Sequence, residues 1–287
     1  MSMNAKVKIT FQGNPLTLVG RNINVGIKAP DFRVVDTNLQ DVTLENFPGK
    51  IKILTSFPSL DTPVCDLQVK EFNKRASAIS PEEVVVIGIS KDLPFAQSRF
   101  CTTNEIKNVH VFSDFMYSSF GINYGLLIKE NNLLARSVTI LDKNNIIRYV
   151  QIVNELTSPP NYDEVIKALQ EVIKAKPIEL SDTTPTKCVP CESGTPPLPK
   201  DKIEKLMKES PNWQIVEDKK IVREFKFRDF VEAKYFLDML AVIAEEQGHH
   251  PSFNLIYNKL KVTLSTHAAS GLTDNDFVMA KIIDSVT

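Results

Sequence analysis

The sequence lacks most of the features that settle a protein's class at a glance. It has no long apolar run: the longest, "VVVIGI" and "LAVIA", fall far short of the roughly 20 residues that a membrane-spanning helix needs. Its first residues, "MSMNAKVKIT", hold no apolar stretch ahead of small residues, so a soluble, cytoplasmic protein with no membrane partner is expected. An excess of one charge is also missing. The 34 basic side chains are balanced by 35 acidic ones, with no Lys/Arg cluster, which removes the electrostatic footprint of a nucleic-acid binder and favours small-molecule chemistry. Cysteine is scarce, four residues in all, too few for a disulfide-stapled secreted fold. In a reducing compartment such thiols are catalytic, metal-binding or simply buried. No internal repeat or low-complexity tract occurs.

What is present begins with length. The 287 residues suffice for two ordinary cores, since domains usually hold roughly 100 to 200 residues. Prolines 177, 185, 190, 196, 197 and 199 fall within 23 residues, among Ser, Thr and Gly, and proline denies helices and sheets their backbone N–H groups. This predicts a first domain over residues 1–175, a proline-rich linker over 176–199 and a second domain over 200–287.

Before the linker, "KVKITF" and "NPLTLVG" read as a hairpin, "KIKILTSF" and "EEVVVIGIS" as buried strands. "VCDLQVKEFNKRASAI" reads as a helix with Leu67, Phe72, Ala76 and Ile79 inward. "ARSVTILD" and "IIRYVQIV" make a second hairpin, and "YDEVIKALQEVI" a closing helix. Alternating strands and helices predict an α/β domain with a mixed sheet. After the linker the order is helix, two strands, a long helix over about 229–247, two strands and a final helix, which predicts an α+β domain with a four-stranded antiparallel sheet.

In "FPSLDTPVC" a buried strand runs out, turns at Pro58 and delivers Thr62 and then Cys65 to the first turn of a helix. A cysteine there meets the positive end of the helix dipole and unpaired N–H groups, which favour the thiolate, the nucleophilic form. The placement is like the CxxC of thioredoxin-type folds, except that Thr62 stands where the first cysteine would be, so no local dithiol forms. The plainer reading makes Cys65 and Cys101 small buried hydrophobes and Arg136 a surface charge.

Pro58, Thr62 and Cys65 reproduce the PxxxTxxC signature of peroxiredoxins, and "SFPSLDTPVC", "SKDLPFAQSRFC" and "ARSVTILD" resemble the thiol peroxidase branch of that family over nearly all of residues 1–173. The resemblance implies a thioredoxin-like fold. It makes Cys65 the peroxidatic cysteine and Cys101 the resolving cysteine on the next helix. Thr62 becomes the hydroxyl that orients the peroxide, Pro58 a shield over the thiolate and Arg136 a cation beside it. It further implies a sulfenic acid at Cys65, its capture by Cys101 as a disulfide, and reduction by an external thioredoxin-like dithiol, with no bound cofactor.

Of the four histidines, His249, His250 and His267 lie within 19 residues. Gly248 and Pro251 end the long helix at that point. Metal binding, acid/base chemistry and helix-end packing all remain open from the residues alone. Glu245, His249, His250, Pro251, Tyr257, His267 and Asp276 are similar in type and spacing to the signature of pterin-4a-carbinolamine dehydratases, with likeness extending over about residues 186–287. The resemblance implies dehydration of a 4a-hydroxytetrahydropterin without metal or bound cofactor. The histidines would be acid and base, oriented by Glu245 and Asp276. Trp213 and Phe253 read as core packing or as stacking walls for the pterin.

Cys188 and Cys191, in "TKCVPCESGTPPLP", have three readings: an ordered turn packed on the second domain, half of a zinc site completed across an oligomer, or a redox-active pair. A bifunctional enzyme acting on hydroperoxide and pterin is thus expected, as a homodimer or larger homo-oligomer. The alternatives make the second domain mainly an assembly module, or the first a peroxide sensor.

Overall fold

The computed structural model describes residues 8–77, 79–177, 188–189 and 195–287. They fall into two compact units. The first begins with a hairpin of β1 (Ile9–Phe11) and β2 (Asn14–Leu16), followed by β3 (Leu18–Val19), β4 (Val34–Val35), β5 (Asp41–Val42) and β6 (Ile51–Ser56). Then come α1 (Pro63–Ala76), β7 (Val84–Ser90), α2 (Pro94–Thr103), β8 (His110–Ser113), α3 (Ser119–Asn123) and β9 (Leu127–Ile128). The unit closes with β10 (Ser137–Leu141), β11 (Ile147–Ile152) and α4 (Tyr162–Lys174).

The main sheet has seven strands in the order β11-β10-β6-β7-β8-β4-β5. β6, β7 and β8 are parallel, whereas β10 runs antiparallel to both β6 and β11. β6 and β7 are buried along their whole length, the pattern of parallel strands covered on both faces. The mixed α/β sheet and both hairpins correspond to the sequence reading. In and just after α1, Phe72 is buried and Ala76 and Ile79 pack against the core as the sequence reading has them, but Leu67 is 62% exposed and the buried stripe runs through Cys65, Gln68, Val69 and Phe72. Spacing of i, i+3, i+4 and i+7 counted from Cys65 defines that stripe, so the polar Gln68 holds the place that hydrophobicity assigned to Leu67.

Register decides what meets Cys65. Ser137 of β10 pairs with Ser56, the last residue of β6, so Arg136 lies just past the carboxyl end of β6, where the chain turns toward α1. Ligand sites of open α/β sheets form at that end of the strands.

The second unit contains α5 (Lys200–Glu209), β12 (Gln214–Val216), β13 (Lys220–Lys226), α6 (Phe230–Gln247), β14 (Ser252–Ile256), β15 (Lys259–Leu264) and α7 (Asp274–Ser285). Its antiparallel sheet has the order β12-β13-β15-β14, as the sequence predicts. Burial alternates along β13 and β15: Ile221, Phe225, Leu260, Val262 and Leu264 point inward, and Glu224, Lys259 and Lys261 are exposed. α6 and α7 pack on β15 and on each other. Asp229 caps α6 by accepting the Glu232 N–H at 2.9 Å. Gly248 ends it at φ 60°, a left-handed conformation that favours glycine. Trp213, 3% exposed, donates its ring N–H to Asp284 at 2.9 Å and is a core residue. Among the described residues no helix is long and apolar enough to cross a membrane.

One buried charge makes the first unit sensitive to pH. Lys52 of β6 is 1% exposed, and its ammonium donates to the Lys50 carbonyl at 2.9 Å. Burial pushes its pKa down to about 8, with the Asp142 carboxylate acting in the opposite direction. An unfolded lysine keeps its proton up to about pH 10.4, so above about pH 8 the unfolded chain binds more protons and stability rises with pH. Lys52→Met is expected to flatten that rise and to stabilise the unit near neutral pH by on the order of 2 kcal/mol. Hydrogen exchange of β6 and β10 amides in urea, at neutral and at alkaline pH, checks this. An unaltered pH slope in the variant would contradict it.

Candidate active sites

The first site is built at the end of β6. Pro58 is buried in the loop that follows, and Thr62 is the N-cap of α1, with extended backbone (φ −107°, ψ 141°) and Pro63 after it. Proline suits that first helical position, because its N–H would be unpaired there and its φ is already helical. Cys65 then sits in the first turn, 0% exposed. Thr62 Oγ1 lies 2.8 Å from Cys65 Sγ and 3.0 Å from the Ser59 carbonyl. A hydroxyl has one hydrogen, so Thr62 can donate to Ser59 while the sulfur is a thiol, and to the sulfur once it is a thiolate.

Arg136 Nη2 donates to Cys65 Sγ at 3.3 Å. Arg136 is no surface charge: it is 1% exposed. Its Nε and Nη2 donate to the Leu156 carbonyl at 3.2 and 2.7 Å, and its Nη1 donates to Gln68 Oε1. Gln68 in turn donates to Thr55 Oγ1 at 2.6 Å and to the Ser56 carbonyl at 3.3 Å. Asp92 pins the loop from the β7 side, accepting from Ser59 Oγ at 2.6 Å and from the Leu60 N–H at 2.8 Å.

The structure therefore brings Thr62, Cys65 and Arg136 together around one sulfur, with Pro58 in the adjoining loop. Cys101, half-buried on α2, stands outside that hydrogen-bonded cluster, and neither it nor Cys65 is in a disulfide. Burial pushes the Cys101 thiol up.

The Leu156 carbonyl is held in place by the N-terminal hairpin. Thr10 N–H donates to the Asn154 carbonyl at 2.6 Å, and Leu156 N–H to the Thr10 carbonyl at 2.9 Å. Between them Glu155 accepts from Thr10 Oγ1 at 2.7 Å and from the N–H groups of Gln12 and Gly13 at 3.0 and 3.1 Å.

The second site joins the end of α6 to the start of α7. His249, 9% exposed, has Nε2 at 2.8 Å from Asp276 Oδ1. Asp276 is 0% exposed, and its other oxygen accepts from Thr266 Oγ1 at 2.9 Å and from the Thr273 N–H at 2.7 Å. With the carboxylate ionised, a neutral His249 keeps its proton on Nε2 and turns its Nδ1 lone pair elsewhere. His250 Nε2 lies 3.1 Å from Glu245 Oε1, both side chains exposed. His267 opens a 3-10 turn after β15 and is exposed, its neighbour Thr266 being the residue that touches Asp276. The structure thus pairs His249 with Asp276 and His250 with Glu245, and joins His267 to neither pair by a hydrogen bond. Among the described residues no three His, Cys, Asp or Glu side chains are grouped as a metal would require. Cys188 is buried within this second unit, and Cys191 lies outside the described residues.

Gln68, Asp92, Glu155, Thr266 and Thr273 escaped sequence reasoning. Two left a usable trace. Gln68 is a polar residue one helical turn beyond Cys65, and Thr273 with Asp276 has the spacing of a capping box.

Comparison with known proteins follows the same division. Residues 24–166 match the Redoxin family and residues 196–286 the Pterin 4 alpha carbinolamine dehydratase family. A thiol peroxidase of Bacillus subtilis is 45% identical over 167 residues, covering 58% of this chain and 99% of that protein. One of Clostridium acetobutylicum is 46% identical over 164 residues, covering 57% and 98%. Among solved structures, a peroxiredoxin-like protein from Aquifex aeolicus superposes with a TM-score of 0.54 at 42% identity, covering 57% of this chain and 96% of its own.

The Glu155 clamp yields a pH prediction. Hydrogen bonds from Thr10 and Thr157, and from the Gly13 backbone, hold its carboxyl well below the usual carboxylate range. An unfolded glutamate titrates near about 4.3, so the clamp is at full strength above that pH and weakens as pH falls toward the depressed value of the folded state. Acidification below about pH 4 is expected to raise hydrogen exchange in β1 and β2. Glu155→Gln should show the raised exchange already at neutral pH. Equal protection in the variant and the parent would remove Glu155 from this role.

Proposed function

The chain belongs to the thiol peroxidases, with a pterin 4 alpha carbinolamine dehydratase domain following over residues 196–286, and on that premise we propose a bifunctional enzyme with one activity in each unit. The peroxidase is assigned to residues 1–175 and the dehydratase to 200–287. The observation that carries the first assignment is a buried sulfur held between a hydroxyl at 2.8 Å and a guanidinium at 3.3 Å.

In the peroxidase, the Cys65 thiolate attacks one oxygen of the hydroperoxide. The S–O bond forms as the O–O bond breaks, and the departing oxygen leaves as water or alcohol after taking a proton. Arg136 stabilises negative charge first on sulfur and then across the breaking bond, and Thr62 orients the peroxide. Pro58 shields the sulfur from water. Cys101 then attacks the sulfenic acid at Cys65, forming a disulfide and releasing water. A thioredoxin-like dithiol, external to the chain, reduces it. Because burial raises the Cys101 pKa, Cys101 waits as a thiol and does not compete for peroxide.

In the dehydratase, an acid protonates the 4a-hydroxyl as its C–O bond breaks, and a base removes the N5 proton so that the C4a=N5 double bond forms. His249, His250 and His267 supply these groups, with Asp276 and Glu245 orienting the first two. The support is the His249–Asp276 pair, in which a buried carboxylate spends three contacts on a single geometry. The edge strand β14, with Ile256 exposed at its end and Tyr257 exposed in the turn after it, supports the expected homo-oligomer.

Cys65→Ser is expected to abolish peroxide consumption, and Cys101→Ser to leave one fast turnover followed by an arrest that a small external thiol relieves. Sustained turnover in the Cys65 variant would sink the nucleophile assignment. Disulfide formation in the parent protein should accelerate as pH rises toward the Cys101 pKa, readable by stopped-flow. For the second unit, His249→Ala is expected to cut dehydration by about 100-fold or more, within the range of general acid–base contributions. A rate equal to the parent's would favour the assembly-module reading.

A further inference from the structure

The Cys188–Val189 dipeptide is hydrogen-bonded to both helix ends that carry the buried pair of the second site. Its Cys188 N–H donates to Oε1 of Gln247, the last residue of α6, at 3.0 Å. Asn275, in the first turn of α7, grips Val189 on both sides: Oδ1 accepts from the Val189 N–H at 3.0 Å and Nδ2 donates to its carbonyl at 2.7 Å. Cys188 Sγ, in a residue 6% exposed, lies 3.6 Å from the Asn275 carbonyl oxygen. Further along, Leu198 N–H donates to the Leu272 carbonyl at 2.8 Å. Gly271 leaves room for the same stretch, since a Cβ there would stand 2.9 Å from Pro197 Cβ.

The positions matter. Gln247 is two residues before His249, and Asn275 immediately precedes Asp276. An amide that accepts from the N–H and donates to the C=O of one residue holds the two successive peptide groups flanking it, and so fixes that residue's position and orientation together, which a single contact does not. Inside α7, Asp276 is already tied to Thr273 by the capping box. What remains is the distance and angle between two helix ends from different parts of the chain, and the dipeptide spans that gap.

We propose that the Cys188–Val189 dipeptide is a positioning element of the dehydratase site, tying Gln247 to Asn275 and so setting how the His249 ring meets the Asp276 carboxylate. Its catalytic consequence rests on the dehydratase reading above; the geometry does not. Cys188 then serves as a small buried side chain with a weak donor, a role in which cysteine packs well.

The test uses the full chain with Asn275→Ala and Gln247→Ala, Gln247→Glu as the variant that keeps the acceptor oxygen, and Asp276→Asn to mark loss of the partner. Two readouts are taken: the ring 15N shifts of His249, and kcat and KM for dehydration of a 4a-hydroxytetrahydropterin. In both alanine variants the His249 shifts should move toward those of Asp276→Asn. kcat should fall about tenfold with KM changed less than about twofold, the pattern of a misplaced catalytic group. Gln247→Glu should retain parental values, and peroxide consumption should be unchanged in all. If Asn275→Ala does not fold, Gln247→Ala on the other helix decides the outcome alone. Parental His249 shifts in the alanine variants would overturn the inference. If the parent chain itself fails to dehydrate the pterin, the dehydratase reading falls, and the ring shifts still decide the positioning role.

Discussion

Burying the Arg136 guanidinium is the constraint around which the first unit is arranged. At 1% exposure each of its N–H groups needs an acceptor, and a buried charge stripped of its partners costs about 3–5 kcal/mol. The Leu156 carbonyl receives two of the donors and Gln68 receives another. The sulfur of Cys65 takes a fourth. These acceptors come from α1 and from the loop after β11. The register of β10 on β6, the phase of α1 and the grip of the N-terminal hairpin on residues 154–156 must therefore all be satisfied together. In the proposed peroxidase, a thiolate among such fixed donors would meet developing negative charge with dipoles that need not reorganise.

The second unit follows the same logic with the sign reversed. Here the buried charge is the Asp276 carboxylate, and its donors are a hydroxyl, a backbone N–H and the ring of His249. Because two oxygens accept in three directions, the imidazole is left with little rotational freedom, which is what acid–base work on a bound ring requires. His250 and Glu245, both exposed, form the looser partner pair. In each unit a charged group that would be unfavourable in isolation is stabilised by contacts that also define the reacting geometry.

Much of this was legible in advance. The buried run "KIKILTSF", the break at Pro58, and Thr62 and Cys65 at a helix start specify strand, loop and the thiol in the first helical turn in one local stretch. The seven-residue likeness from Glu245 to Asp276 located both ends of the second site. Leu67 shows the limit of pattern reading: hydrophobicity favoured it for the inward face of α1, yet Gln68 takes that face because Arg136 needs an amide oxygen there. Hydrophobic periodicity has no means of registering a demand made by a residue 68 positions away. Arg136, likewise, reads as a surface charge from its own neighbours, and only the family resemblance set it beside Cys65 in advance.

The proline-rich stretch makes the same point from the other side. Its composition marks a boundary, and by itself that reads as a linker; only the placement of Gln247 and Asn275 ties Cys188 and Val189 to the second unit. What the sequence by itself determined is local: which segments form strands and helices, that the chain holds two units, and which reactive side chain types stand at element ends, because backbone preference and side-chain type depend on a few neighbouring residues. Tertiary structure alone decided which distant groups satisfy one another, from Leu156 and Gln68 on Arg136 to Thr266 on Asp276. Those pairings arise from buried polar groups seeking partners across folded elements, and that search has no counterpart along the chain.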